Sequence, residues 1–181
     1  MKQLTTLILA WLCIAAIATS EIKLRASSGK VVTYKPSATK PTVLIFVLSD
    51  CPIANNYAPK IGRLATKYSK LFDLKLVFED PEISLKTAKK HMSDYAIKLP
   101  FLLDPKHKLA SKMRVRISPE VVIQNRGKRV YLGRIDDQYA ELGVRRPEAS
   151  VHDLRNALEA ILNHKPVQQP KDQPVGCILP K

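Results

Sequence analysis

The chain is poor in the features that advertise a function. Aromatic side chains make up only 6% of its 181 residues, and its formal net charge of +14 is not gathered into any block of five or more lysines and arginines. Without a basic cluster interleaved with aromatics, and with no nucleic-acid motif, no nucleic acid is expected as a partner. The charge reads as a solvated basic surface suited to acidic partners. No phosphate loop, no nucleophile triad and no paired catalytic carboxylates stand out, and no internal repeat is visible. Cysteine is scarce as well: the 3 present are Cys13, Cys51 and Cys177. Together with the four histidines they match no closed zinc spacing, so neither a metal nor a cofactor is expected.

What is present begins with the amino terminus. Met1-Lys2 supplies one positive charge, Leu4 to Thr19 is apolar and uncharged, and Ala18 and Ser20 are small residues just before Glu21. That is the grammar of a cleaved signal peptide over residues 1–20. The competing reading is a retained anchor, but the apolar run is shorter than the ~20 residues that span a bilayer. A lipid on Cys13 would need a small residue before it, and Trp11-Leu12 stands there instead. The expected mature protein is therefore extracytoplasmic, periplasmic or secreted, with no stable membrane anchor after cleavage. Losing Lys2 takes the charge from +14 to +13, and Cys13 leaves with the same segment. Outside the cytoplasm the two remaining thiols tend to pair or to do redox work.

With 45% hydrophobic residues the rest fits one globular domain over residues 21–164, followed by a proline-rich tail over 165–181 that carries Cys177. Ile22-Lys23-Leu24 and Val31-Val32-Thr33 flank a turn at Ser27-Ser28-Gly29. Thr42 to Leu48 is an unbroken apolar run, as in a strand buried on both faces. A helix then opens at Ser49-Asp50-Cys51-Pro52, with Pro52 at the first position, where its missing N–H costs nothing. Ile53, Tyr57, Ile61, Leu64 and Tyr68 continue at helical spacing, and Pro59 is expected to kink that helix. Leu74 to Phe78 predicts a second strand. Ser84 predicts a cap for a helix with Leu85, Ala88, Met92 and Tyr95 on its apolar face. A short helix over 108–113, a hairpin of 121–123 with 130–132, and a last helix opened by Ser150 with Val151, Leu154, Leu158 and Ile161 inward complete the pattern. Pro166, Pro170, Pro174 and Pro180 predict no regular structure in the tail. The order gives an α/β class: a mixed sheet with helices on both faces, its first half a right-handed crossover.

Cys51 stands where such folds do chemistry, after a buried strand and at the first turn of a helix. Helix N–H groups and dipole there favour the thiolate, which is the reactive form. Asp50 next to it works the other way. The alternative is a buried, inert cysteine.

These residues carry a resemblance. Asp50-Cys51-Pro52-Ile53-Ala54-Asn55-Asn56-Tyr57-Ala58-Pro59 resembles the active-site turn of thioredoxin-like redoxins of the AhpC/TSA type. More narrowly it resembles a bacterial subgroup with a Cys-Pro-Ile-Ala-Asn turn. Pro59 matches the proline of that family's first helix, and Ser118-Pro119 resembles its cis-proline beside the reactive cysteine. Gly133 to Tyr139 and Val175-Gly176-Cys177 also look like the subgroup, so the resemblance covers roughly residues 30–178. It implies a thioredoxin-like fold, Cys51 as catalytic nucleophile, and Pro52, Ser118 and Pro119 as substrate-binding residues. Its partner would be a protein thiol, disulfide or other redox protein. The chain departs from each branch of the family: Ala54 stands at the second cysteine of a thioredoxin, Asn55 at that of the copper-delivering relatives, and Leu48 at the Thr or Ser of peroxide reductases.

Cys177 is then the one partner left in the chain. The thirteen residues from His164 to Cys177 reach roughly 40 Å at ~3.3 Å each, enough to bring the tail onto Cys51. Cys177 could resolve a mixed disulfide on Cys51, or the pair could be a structural staple, or both thiols could stay free. The leading function is thiol–disulfide or peroxide-linked redox chemistry through Cys51. The rival is a non-enzymatic thioredoxin-like binding module that holds a metal or docks an electron-transfer partner. His91, His152 and His164 are expected in solvent, while His107 could approach the Cys51 end of the sheet. Asp136-Asp137 are expected to cap or solvate the loop after the hairpin.

Overall fold

A computed structural model describes residues 21–180. The expected signal peptide and Cys13 lie outside the described residues. Among the described residues no helix is long and apolar enough to cross a membrane.

Two short strands, β1 (Lys23–Ala26) and β2 (Val31–Thr33), form the predicted first hairpin. The apolar run becomes β3 (Thr42–Val47), buried at all six positions, which requires cover on both faces of the sheet. Next come α1 (Pro52–Tyr68), β4 (Asp73–Phe78), α2 (Leu85–Asp94), β5 (Phe101–Leu103), α3 (Lys108–Met113) and β6 (Ile117–Ser118). The chain continues through β7 (Glu120–Asn125), β8 (Lys128–Gly133), β9 (Tyr139–Glu141), β10 (Val144–Arg145), α4 (Asp153–Leu162) and β11 (Cys177–Ile178). The main sheet is mixed, in the order β2-β1-β5-β4-β3-β7-β8. Its centre, β3-β4-β5, is parallel, and β7 runs antiparallel to β3. This is the α/β architecture expected from the sequence. Phe46, Phe78, Tyr68, Tyr131, Leu109 and Ile123 are among the large side chains fully buried in it.

Several local expectations are met for the stated reasons. Cys51 is the N-cap of α1, with φ −72° and ψ 113°, and Pro52 opens the helix. Pro59, where a kink is expected, lies inside the helix, which continues to Tyr68. Ser84 caps α2 by accepting from Thr87 N at 3.0 Å.

Others are corrected. Ser150 does not open the last helix. Its N–H and that of Val151 donate to Asp137 Oδ1 at 2.7 and 2.9 Å, and α4 begins at Asp153. Val151 consequently stays 42% exposed. Tyr95 ends α2 rather than joining its buried face. Strand β5 is too short to show a period, and the sequence reading passed over it. The tail is not irregular throughout, since β11 pairs antiparallel with β6. It is also pinned upstream. Gln169 accepts from Leu132 N at 3.2 Å and donates to Val130 O at 2.7 Å, replacing the strand that the edge of β8 lacks. Pro170 lies over Gly133, where a Cβ would stand 2.2 Å from the proline ring. Asp172 pairs with Arg134, which also holds Asp153 of α4.

Candidate active site

The carboxyl end of β3 delivers Cys51 to the start of α1. Its sulfur lies 3.5 Å from the Ala54 N–H, one of the helix donors left without an intrahelical partner. Only 1% of the residue is exposed. Cys51 is joined to Cys177 in a disulfide, with Cα atoms 6.1 Å apart. Of the arrangements open to the two thiols, pairing is the one present.

The wall beside the disulfide is the loop that carries β6. The Ser118–Pro119 peptide is cis, as the sequence match predicts. Ser118 is buried and acts in two directions. Its Oγ accepts from Leu48 N at 2.7 Å, which ties the loop to the approach to Cys51. Its carbonyl oxygen lies 3.3 Å from Cys51 Sγ. A disulfide sulfur has no proton to give, so in the oxidised protein this is a packing contact. Glu120 fastens the same loop by accepting from Arg116 N at 2.8 Å and Ile117 N at 3.3 Å. Pro119 is buried beneath this arrangement, whereas Pro52 is exposed beside Cys51.

The tail covers this wall. Strand β11 places Cys177 opposite Ser118 and Ile178 opposite Ile117, and Leu179 N donates to Arg116 O at 2.9 Å. Leu179 is buried. The five predicted site residues therefore lie at one place: Cys51 and Cys177 bonded, Ser118 under the tail with Pro119 buried next to it, and Pro52 exposed beside Cys51.

Two polar clusters escaped the sequence reading. The first supports α1 directly after Cys51. Tyr57 Oη donates to Asp136 Oδ1 at 2.7 Å, Lys60 pairs with the same carboxylate, and Asn56 Nδ2 donates to Tyr139 Oη at 2.7 Å. Asp136 and Asp137 are both buried, so they do not solvate the loop after the hairpin; Asp137 Oδ1 instead accepts from Ser150 N and Val151 N in the segment ahead of α4. The Tyr57 phenol that bonds Asp136 is pushed well above the ordinary tyrosine range, first by desolvation and then by Asp136. A tyrosine and a lysine on one helix face, followed far along by paired acids, are the only sequence signals for this cluster.

The second cluster is at the ends of β4 and β5. Glu79 is fully buried, its Oε2 lies 2.8 Å from His107 Nδ1, and its Oε1 has no partner among the described residues. Burial, followed by the charges of Asp104 and Asp80, pushes its carboxyl up to about 9, so it is protonated at neutral pH. His107 does reach this end of the sheet, but its partner there is Glu79. His91 is not in solvent as expected: its Nε2 donates to Asn55 Oδ1 at 2.9 Å, and its ring packs edge-on against Phe78. Burial lowers its basicity. Among the described residues no group of three or more His, Cys, Asp or Glu side chains could hold a metal ion.

Comparison with known proteins agrees with this architecture. No curated protein sequence matches the chain significantly. An uncharacterized conserved protein of Geobacillus kaustophilus superposes with a TM-score of 0.71 at 26% identity, covering 88% of both chains. A hypothetical protein of Sinorhizobium meliloti gives 0.71 at 22% identity, covering 88% of this chain and 90% of its own. A secreted disulfide oxidoreductase of Mycobacterium tuberculosis, homologous to DsbE of E. coli, gives 0.52 at 19% identity, covering 60% of this chain and 80% of its own. The likeness to the last two is one of fold. Residues 17–132, well over half of the sequence, match the AhpC/TSA family, and the chain belongs to that family of thioredoxin-like redoxins.

Proposed function

We propose that this protein is an exported thiol–disulfide redoxin, a domain over 21–164 with a functional tail over 165–181, whose redox pair is Cys51 and Cys177. The observation that supports it is the Cys51–Cys177 disulfide set at a helix N-terminus against the cis-proline loop. In the reduced protein the Cys51 thiolate, stabilised by the Ala54 N–H and the helix dipole, attacks one sulfur of a partner's disulfide. The partner's other sulfur leaves as a thiolate, and a mixed disulfide joins Cys51 to the partner. The Cys177 thiolate then attacks Cys51 Sγ, and the partner leaves fully reduced. Two electrons have passed to the partner, and this chain keeps the disulfide; the opposite flow is the same sequence reversed.

The tail is well placed for the second step. Its anchors at Gln169 and Asp172 leave only five residues to Cys177, so the resolving thiol is held at high effective concentration. Thiol exchange is favoured over peroxide reduction because Leu48 stands where peroxide-reducing relatives carry a Thr or Ser. Export is supported by the apolar amino-terminal run and by the fold's occurrence in a secreted oxidoreductase and in an exposed lipoprotein thioredoxin. The deciding experiment is a thiol count on exported protein followed by titration against a glutathione redox couple. A bond that opens and closes reversibly, with native structure at both ends, is expected. A bond that resists reduction until the protein unfolds would make it a staple and leave the binding-module reading.

A further inference from the structure

The tail does more than carry a thiol. Cys177 and Ile178 pair antiparallel with the β6 edge, Leu179 N donates to Arg116 O beyond them, and Cys177 is bonded to Cys51. A chain segment that meets the reactive cysteine in this way occupies the position an extended peptide partner would take by strand addition. We propose that the tail is an internal stand-in for the partner, and that the β6 edge it covers accepts an extended cysteinyl segment in which glycine directly precedes the cysteine and an apolar residue follows two places after it. This rests on the redox reading of Cys51.

The selectivity comes from clearance and register. A Cβ on Gly176 would stand 2.0 Å from the carbonyl oxygen of Ser118 and 2.7 Å from its carbon. Both atoms are main chain, and Ser118 is held by its Oγ accepting from Leu48 N, so they cannot rotate aside as a flexible side chain would. Any other residue before the cysteine must lift the strand off the edge. Two places after the cysteine, Leu179 is buried and its N–H donates to Arg116 O, while Ile178 between them is exposed. The edge therefore reads the pattern Gly-Cys-x-Leu, with the middle position free. Resolution then becomes an exchange of strands: as Cys177 attacks Cys51, the tail takes the place of the partner segment with the same register and the same contacts.

The test uses the full-length Cys177→Ser protein and the full-length Gly176→Ala/Cys177→Ser protein, whose own tail is lifted from the edge. The probe is the peptide Val-Gly-Cys-Ile-Leu-Pro with 5-thio-2-nitrobenzoate on its cysteine. Attack by Cys51 on the peptide sulfur forms the Cys51–peptide disulfide, breaks the probe's own S–S bond and releases the coloured thiolate, whose absorbance gives the rate. Replacing the peptide's glycine with alanine should slow release by about 10- to 100-fold, the cost of a main-chain overlap of this kind. Methylating the leucine nitrogen should slow it as well. Oxidised glutathione, too small to use the edge, measures Cys51 alone. Equal rates for the glycine and alanine peptides, with Cys51 reactive to glutathione disulfide, would overturn the edge while leaving the redox reading. No reaction with either probe would end both. The single substitution Gly176→Ala lies on the tail, away from the core. It should shift closure of the wild-type pair toward the thiols by a similar factor, and an unchanged closure would count against the clearance argument.

Discussion

Reducing the Cys51–Cys177 bond should cost the native fold about 5 kcal/mol, a figure set by the length of the loop it closes. The two cysteines are 126 residues apart, so the bond removes much of the freedom of the unfolded chain. In the folded state the reduced tail has other holds, through Gln169 on β8 and Asp172 on Arg134, so native structure is expected to persist. Urea unfolding of the oxidised protein, and of the same protein in excess reductant, reads the difference. With slopes of about 1–3 kcal/mol per molar urea, the midpoints should separate by roughly 2–5 M. Cys177→Ser should fall with the reduced form. By the thermodynamic cycle, the same free energy favours the closed pair in the folded protein and lowers its reduction potential by about 100 mV relative to the unfolded chain. A separation under about 1 kcal/mol would refute the loop-closure reasoning, because chain entropy alone assigns a loop of this length about 5 kcal/mol. A reduced chain that does not fold at all would instead identify the bond as a staple and count against a redox cycle.

Two further outcomes follow from the surroundings. Glu79 holds its proton up to about 9 in the folded state, against 4.5 for the free side chain, so between these values the native state binds a proton that the unfolded chain has released. Its contribution is complete below pH 4.5 and is lost as pH rises toward 9, with a slope of up to about 1.4 kcal/mol per pH unit. Glu79→Gln should flatten stability over this range, measured as urea midpoints from pH 5 to 9, and an unaltered slope would show that the acid is not protonated. Gln169→Ala removes two hydrogen bonds between the tail and β8 without touching the core. At ~1 kcal/mol net it should shift the Cys51–Cys177 equilibrium about fivefold toward the thiols in a glutathione titration. No shift would mean that the upstream anchor does not set the position of Cys177.

Much of the fold was legible in the sequence because it is written in local order. The apolar run ending at Leu48, the proline after Cys51 and the Ser84 cap each specify their neighbours within a turn or a strand, and each appears where expected. Ser118-Pro119 was legible only through resemblance, since nothing local distinguishes that proline from the other twelve. What the sequence could not decide depends on groups brought together from far apart. Whether Cys177 pairs with Cys51, across 126 residues, was one of three open readings, and the choice follows from an unpaired edge on β6 and from a glycine small enough to lie against Ser118. The tail's four prolines argued against a strand. They do not prevent a two-residue one, because a partner edge supplies hydrogen bonds at Cys177 and Ile178, where no proline stands. The buried acids were misread or passed over for a related reason. A carboxylate in sequence reads as surface, and only tertiary structure encloses Glu79 beside His107 or brings Tyr57 and Lys60 to Asp136. Sequence alone determined where Cys51 would sit, because helix start and strand end are local. Which sulfur faces it only the closed tertiary structure decided, because that rests on a strand pairing and a main-chain clearance between segments the sequence keeps apart.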